Sequence, residues 1–401
     1  MRNIVIVDGV RTGFGKIGGS LSRFTMAELS GKAIDALLDK TKLLEKGAKV
    51  EGVYIGSALG DCKTLAQARY SVLCSRLGYY VWSSTVERQC GSAIDAINHA
   101  AAAIAFGQAD IMIAGGAESY STFFCKFPMN NVVPNKMVMP MPYKQCHAPD
   151  PEDCIDMIET AENVAKKYHI TREECDAFAL RSQMRAKAAH EKGYFDEEIF
   201  PVTLPATRKT PEIQFADDEF MRPTTTMEGL AALPSVKPGG VTTAGNASGR
   251  NDGAGMVLLM TEEKAKELGY EPYARIVMGG NAGVDPKFMG LGPVYSSLDA
   301  IRRAGLKVDD IDLWECNEAF AAQNIGVIRG LEEESGCKIN EDNWNPNGGA
   351  ISYGHPNGAS GARVCMFTMR ELERRGGKYG IFTSCCGGGL GVSTLIENLR
   401  R

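Results

Sequence analysis

Four short stretches of this sequence carry side chains able to do covalent chemistry, and they lie far apart along the chain. Cys90 stands in Glu87-Arg-Gln-Cys-Gly-Ser-Ala93, just before a run of small apolar residues that reads as a helix. A thiol at a helix N-terminus faces unpaired backbone N–H groups and the positive end of the helix dipole. That setting favours the thiolate, which is the nucleophilic form. Gly91 would let a substrate carbonyl approach the backbone closely. The competing reading of Cys90 is a small buried thiol without chemistry. His355 lies in Asn347-Gly-Gly-Ala-Ile-Ser-Tyr-Gly-His-Pro-Asn-Gly-Ala-Ser-Gly-Ala-Arg363. Its small neighbours leave space for a substrate, and imidazole is the usual proton acceptor near neutral pH. Cys385-Cys386-Gly-Gly-Gly-Leu-Gly391 follows a strand-like run, and its successive glycines can turn N–H groups toward an oxyanion. Adjacent residues of an extended chain point to opposite sides, so at most one of these two sulfurs should face a site. Asn317, in Asn317-Glu-Ala-Phe-Ala321, either caps a helix or serves a site. Asn246-Ala-Ser248 belongs to a polar, glycine-rich loop of the kind that can hold a ligand.

These residues need a scaffold that brings them together. Strand-like runs alternate with helical runs, the pattern of an α/β protein. Candidate strands are Ile4–Asp8, Gly52–Ile55, Asp110–Ala114, Ala274–Val277, Ile311–Glu315 and Tyr379–Thr383. The helical segment Ser92–Phe106 is almost wholly Ala and Ile, so it belongs in the interior, with Gly107 as its stop. Cys90 is followed by this helix, a strand and Gly115-Gly116. His355 is followed in the same order by a helix to Arg375, a strand and Gly387-Gly-Gly389. Two such halves could meet face to face, although βα units in general share this look. Residues 121–250 differ in character: prolines cluster at 128–151 with several methionines, and a polar helical pair follows. Thr171-Arg-Glu-Glu174 fits a capping box opening the second of these helices. This middle region reads as an inserted, partly solvated subdomain that could carry a substrate lid.

A length of 401 residues suggests two or three domain-sized units. With 44% hydrophobic and 23% charged residues the composition is that of a soluble globular protein. The net charge of −5 gives no reason to expect nucleic acid or an anionic membrane as partner, and leaves room for a local basic patch. No apolar run reaches the ~18 residues of a membrane span. A core strand opens the chain without a leader, and the tail is not a peroxisomal address, so a cytoplasmic protein is expected. The twelve cysteines include no Cys-x-x-Cys pair, and disulfides are not expected. Five histidines, none at ligand spacing from a cysteine pair, argue against a metal site. Cys62, Cys74, Cys125, Cys175, Cys316, Cys337 and Cys365 are expected to be small buried hydrophobes. His99, His147, His169 and His190 are expected on solvated or packed surface.

Seven stretches together resemble the thiolase family: Gln89-Cys-Gly-Ser92, Gly115-Gly-Ala-Glu-Ser119, Thr160-Ala-Glu-Asn163, Thr243–Gly253, Asn317–Ala321, Gly348–Arg363 and Cys385–Gly391. They occur in family order and span essentially the whole chain. The resemblance implies the thiolase fold, two similar βαβαβαββ halves, each a five-stranded mixed sheet, in a layered α/β/α/β/α core. Residues 1–120 plus 251–271 would form the first half, 121–250 an inserted loop subdomain, and 272–401 the second half. It implies that Cys90 is the nucleophile that becomes S-acylated and that His355 activates it. Cys385 would be the acid/base that removes an α-proton. Asn317 would hold a water in the oxyanion hole beside His355, and the N–H groups of Cys90 and Gly387 would form a second hole. Ser248 would contact the pantetheine, Ala247 would belong to the substrate and coenzyme contacts, and Arg222 would lie near the nucleotide end of coenzyme A. Met157, Met289 and Phe320 match residues around the acyl pocket.

The activity so implied is acetyl-CoA C-acyltransfer, most simply two acetyl-CoA to acetoacetyl-CoA plus CoA, by a ping-pong route without metal or redox cofactor. Acyl-CoA and CoA would be the partners, and a homodimer or homotetramer the assembly. Three positions depart from the family pattern. Glu87 replaces Asn near the nucleophile, Asp156 replaces His beside Met157, and Val236 replaces an aromatic residue near the pantetheine. The last two leave open a 3-ketoacyl-CoA thiolase with longer or branched acyl specificity. A ketoacyl synthase would carry two histidines where Asn317 and Cys385 stand here. A non-catalytic acyl-CoA binder would lack Cys90, His355 or Cys385.

Overall fold

The computed structural model describes residues 2–124, 146–206, 208 and 210–401. Cys125 and most of the proline–methionine stretch lie outside the described residues. A ten-stranded sheet runs in the order Leu313–Cys316, Tyr379–Cys386, Leu390–Asn398, Ala274–Gly283, Ile4–Arg11, Asn251–Thr261, Ile111–Ser119, Gly52–Gly56, Trp82–Val86, with a short strand Gly15–Lys16 on Asn251–Thr261. The resemblance implied two separate five-stranded sheets. Here the second group has four strands, and Ile4–Ile6 pairs antiparallel with Ala274–Ile276 to join the two groups edge to edge.

Helices divide this sheet into five layers. Met26–Thr41 packs on the outer face of the first group, under Val5, Val53, Ile113 and Leu258. Gly292–Arg303 and Ala321–Ser335 cover the outer face of the second, against Ile381 and Leu395. Ser92–Ala105 and Asn357–Arg375 lie between the two groups, sharing a core with Ile6, Val257, Phe382 and Ile396. The small-residue helix is therefore interior, as its composition requires. Its close approach to the second middle helix depends on Gly361, where a Cβ would lie 2.5 Å from the Ile94 nitrogen.

The central strand Asn251–Thr261 is buried at every position yet was not among the expected strands. Its opening Asn-Asp-Gly-Ala-Gly reads as loop, and only tertiary burial on both faces makes it a strand. Trp82–Val86 and Leu390–Asn398 were missed similarly, because Ser-Ser-Thr and Gly-Val-Ser-Thr dilute their apolar pattern.

Residues 198 and 218, within the 121–250 stretch, are fastened to the core by charge. Arg11, on the first strand, is fully buried and bonds Glu198 at 2.7 Å and Asp218 at 2.7 Å. Its guanidinium is ringed by Phe14, Phe195, Tyr353 and Phe367. Buried charge is tolerated only when paired this completely. The expected capping box is present, with Thr171 and Glu174 opening the helix Arg172–Glu191.

Two cysteine expectations fail. Cys146 and Cys154 form a disulfide across a short loop. Cys62 and Cys74 are exposed, and Cys337 is half-buried, because they sit in connections and not within the layers. Cys175, Cys316 and Cys365 are buried as expected. Among the described residues no helix is long and apolar enough to cross a membrane.

Candidate active site

The edge strand ends at Val86, and a tight turn, Gln89–Gly91, leads into the helix Ser92–Ala105. Ser92 closes this turn: its Oγ accepts from the Arg88 N–H at 2.9 Å and donates to the Gln89 carbonyl at 2.7 Å. Cys90 is half-buried as a residue, but its sulfur points inward and is faced by the N–H groups of Cys90 itself and of Gly387. Those two donors were expected to line an oxyanion hole. The expectation that the helix terminus favours a thiolate is overturned. Burial, with Glu118 nearby, pushes the thiol up to about 12 despite both donors. Removing a sulfur anion from water outweighs two N–H bonds.

His355 follows Gly354, whose φ of +93° is the left-handed turn that sends the chain into the next helix. The His355 N–H donates to Asn251 Oδ1 at 3.1 Å, which fixes the loop on the central strand. Ser360 Oγ donates to the Pro356 carbonyl at 3.1 Å and lies 2.6 Å from His355 Nδ1. With the hydroxyl proton committed, Nδ1 is the donor and Nε2 keeps its lone pair. Nε2 faces Asn317 Nδ2 at 3.4 Å. Burial, and then the charge of Arg363, hold the imidazole down to about 3, so it rests neutral. Asn317 does not cap a helix, because the helix begins at Ala321 with Phe320 as its cap. Its N–H instead bonds the Thr383 carbonyl at 2.9 Å, two residues before Cys385. Asn317 Oδ1 is buried without a hydrogen-bond partner among the described residues, which suits a group that holds a water.

Cys385 is the second sulfur of the site. It is buried in a small apolar cluster with Ala161, Met289, Ala319 and Phe320, against which Met157, Ile158 and Ala247 pack. Met157, Met289, Phe320 and Ala247 thus converge on one apolar cluster around Cys385. Burial raises the Cys385 thiol well above the ordinary range, with Cys90 the next influence. Ser384 Oγ donates to the Cys90 carbonyl at 3.4 Å and links the two cysteine loops. Cys386 points the other way, as alternation requires. A Cβ on Gly91 would meet its sulfur at 2.5 Å, so only glycine fits behind Cys90.

The expected coenzyme contacts separate into two groups. The Ser248 N–H donates to the Ala319 carbonyl at 3.0 Å, beside the acyl cluster. Arg222 lies outside that cluster, in a cavity of about 230 Å³ lined by Phe220, Thr226, Leu230 and Gly245. Its guanidinium rests 5.2 Å from the Phe220 ring centre. Gly245 and Ser248 belong to one loop, so that loop connects cavity and pocket.

Three further residues bear on the site. Ser360 sets the His355 tautomer; the signal for it was a hydroxyl in the first turn after the histidine. Glu118 is a buried carboxyl that accepts from the N–H groups of Ala58, Leu59 and Gly358 and lies 3.1 Å from Ser57 Oγ. It ties the loop after the strand Gly52–Gly56 to the start of the His355 helix, and burial pushes it up to about 7. His147, expected on solvated or packed surface, is half-buried, with Nδ1 only 3.0 Å from where a Gly387 side chain would begin. No local pattern marks it. His99, His169 and His190 are exposed.

The two buried titrating groups give a pH signature. His355 has a folded pKa of about 3 against an ordinary 6.5. Within that window the unfolded chain binds the proton and the folded chain does not, so stability rises with pH. Glu118 acts oppositely, because its folded value of about 7 lies above the ordinary 4.5. Its contribution falls as pH rises from the lower value to the upper. His355→Asn is therefore expected to lower the slope of stability against pH across the histidine window, and Glu118→Gln to raise it where the windows overlap. Urea midpoints measured through both windows check this, and unchanged slopes would contradict the burial of these groups.

Known proteins resemble this chain over its full length. The thiolase N-terminal domain model matches residues 4–263 and the thiolase C-terminal domain model residues 270–398. An acetyl-CoA acetyltransferase of Thiocystis violacea is 42% identical over 99% of both chains. A 3-oxoadipyl-CoA/3-oxo-5,6-dehydrosuberyl-CoA thiolase of Escherichia coli is 40% identical over 100% of both. The human mitochondrial 3-ketoacyl-CoA thiolase superposes with a TM-score of 0.90 at 37% identity, covering 99% of each chain. The same human enzyme, solved in complex with CoA, superposes with a TM-score of 0.89. Two matched domains in sequence and one shared architecture in space place this chain in the thiolase family of acyltransferase enzymes.

Proposed function

We propose that this protein is an acetyl-CoA C-acyltransferase that reversibly joins two acetyl-CoA into acetoacetyl-CoA and CoA through an S-acyl Cys90. The observations that carry the reading are the links between the separate stretches: Cys90 acts on the Cys385 thiol, Ser384 ties their two loops, and Asn317, paired with His355, bonds the backbone two residues before Cys385. At rest both thiols are protonated and the imidazole is neutral, which defines the proton inventory. His355 Nε2 takes the Cys90 proton as the sulfur attacks the thioester carbonyl, and Cys385 gives its proton to the departing CoA sulfur. The second acetyl-CoA then loses an α-proton to the Cys385 thiolate. Its enolate attacks the acyl carbon, and Cys90 leaves as its proton returns from His355. Every group ends as it began. Each oxyanion or enolate needs preorganised donors, and one such donor contributes about 10²–10³ in rate. The Cys90 and Gly387 N–H groups can serve one oxyanion, and a water held by Asn317 beside His355 the other. The Arg222 cavity suits the nucleotide end of CoA, with Ser248 nearer the pantetheine.

A second reading has a specific observation in its favour. Val236 is 49% exposed and small, and Asp156 caps the helix Met157–Lys167 while bonding Lys237 at 2.6 Å. Neither position carries an aromatic ring or an imidazole, which suits a longer or branched acyl chain. The relative named as a 3-oxoadipyl-CoA thiolase is consistent with this. Thiolysis rates for acetoacetyl-CoA against longer 3-ketoacyl-CoA esters separate the two. Comparable or faster cleavage of acetoacetyl-CoA is expected, and a decisive preference for longer chains overturns the first choice.

A homodimer or homotetramer belongs to the same proposal. Among the described residues the strand Trp82–Val86 is an unpaired edge of the sheet, and Leu65, Tyr80 and Trp82 are exposed nearby. A free edge with exposed apolar side chains supports pairing with a second copy.

A further inference from the structure

We infer that Glu87 is a positioning residue that holds the nucleophile turn in a strained conformation and thereby aims the Cys90 N–H. The inference rests on the reading of Cys90 as the acylated residue and adds to it how that residue is presented.

The backbone of Gln89 has φ +47°, in the left-handed region that a non-glycine residue occupies only when its surroundings impose it. Glu87 imposes it. Its Oε1 accepts from the Gln89 backbone N–H at 2.9 Å and from the Gln89 side-chain amide at 2.6 Å. One carboxylate oxygen thus engages Gln89 at two points and folds its side chain back over the turn. Folded so, Gln89 Cγ stands 3.4 Å from where a side chain on Gly387 would begin. The peptide plane between Gln89 and Cys90 takes its direction from the Gln89 dihedrals. That plane carries the Cys90 N–H, which with the Gly387 N–H faces the reactive sulfur. If Gln89 relaxed to an ordinary φ, the first donor would swing away and the packing beneath the second would loosen.

The charge of Glu87 has a separable effect. The groups that act on Cys90 are Glu118 from the strand Ile111–Ser119, Glu87 from the turn, Tyr120, and Cys385 and Cys386 from the opposite strand. Arg88 stands in the same turn but is paired with Asp95 at 3.1 Å. Both carboxylates disfavour a sulfur anion, whereas the two N–H groups favour it. An amide at position 87 would keep the acceptor oxygen and remove the opposing charge.

The test uses the full-length enzyme with E87A, E87Q, Q89G and E87A/Q89G. The readouts are steady-state kinetics and the pH profile of iodoacetamide alkylation at Cys90, mapped by peptide mass. E87A is expected to lower kcat about tenfold to a hundredfold, below the full loss of one oxyanion donor, with KM within about twofold. E87Q should keep kcat within about threefold and move the alkylation profile to lower pH. Glycine adopts a positive φ freely, so E87A should lose markedly less in the Q89G background than alone. Parent-like kcat in E87A, or an equal loss in both backgrounds, overturns the proposal while parent Cys90 is still acetylated by acetyl-CoA. A parent Cys90 that takes up no acetyl group overturns the nucleophile reading itself, and this inference with it.

Discussion

Cys90→Ala is expected to lower thiolysis of acetoacetyl-CoA by about 10⁴-fold or more, the scale on which loss of a covalent nucleophile acts. Mass spectrometry after incubation with acetyl-CoA should find an acetyl group on parent Cys90 and none on the variant. Binding of CoA should persist, because the Arg222 cavity lies apart from the sulfur. Cys90→Ser is the sharper variant. A thiol at about 12 is already a reluctant proton donor, and in the proposed mechanism it reacts only because a neutral imidazole takes the proton as the bond forms. A hydroxyl is more reluctant still and gives a poorer leaving group when the acyl chain must depart. Serine at this position should therefore be acetylated slowly, if at all, and should not turn over. A Cys90→Ser protein that is acetylated at the parent rate would remove Cys90 from the mechanism and leave another residue as the acyl carrier.

What could be read in advance divides along a physical line. Cys90, His355 and Cys385 stood out as candidates because each sits among small residues at the start of a helix or the end of a strand, a pattern written in neighbouring positions. The alternation of strands and helices was legible for the same reason, and so was the burial of the Ala/Ile helix. Properties set by distant neighbours were not. Asn317 read equally well as a helix cap until the helix was seen to start at Ala321. The thiol of Cys90 was expected to ionise easily, because a helix terminus is visible in sequence and the burial that defeats it is not. The strand Asn251–Thr261 hid behind its Asn-Asp-Gly opening. The joining of the sheets through Ile4–Ile6 and Ala274–Ile276 depends on two segments that nothing local pairs. The Cys146–Cys154 bond and the place of His147 beside Gly387 are likewise tertiary facts.

Cys385→Ala is expected to separate the two half-reactions. Acylation of Cys90 should survive in a weakened form, because a CoA thiolate is a tolerable leaving group with an ordinary thiol pKa of about 8.5. Condensation should fall by about 10²–10⁴-fold, the contribution of a positioned general base. The reason lies in the same burial that keeps the Cys385 thiol protonated at rest. A group that is hard to ionise is a strong base once ionised, and an α-proton of a thioester needs one. The apolar wall of Ala161, Met289, Ala319 and Phe320 offers no second base, and His355 is then still holding the proton from Cys90. The variant should therefore release a burst of CoA equal to the number of sites and then stall as acetyl-enzyme. It should also lose exchange of the acetyl-CoA methyl protons with deuterated solvent, which the parent enzyme should catalyse. Retained exchange, or condensation within tenfold of the parent, would move the proton-abstracting role away from Cys385 and leave the second sulfur as a packing residue beside the first.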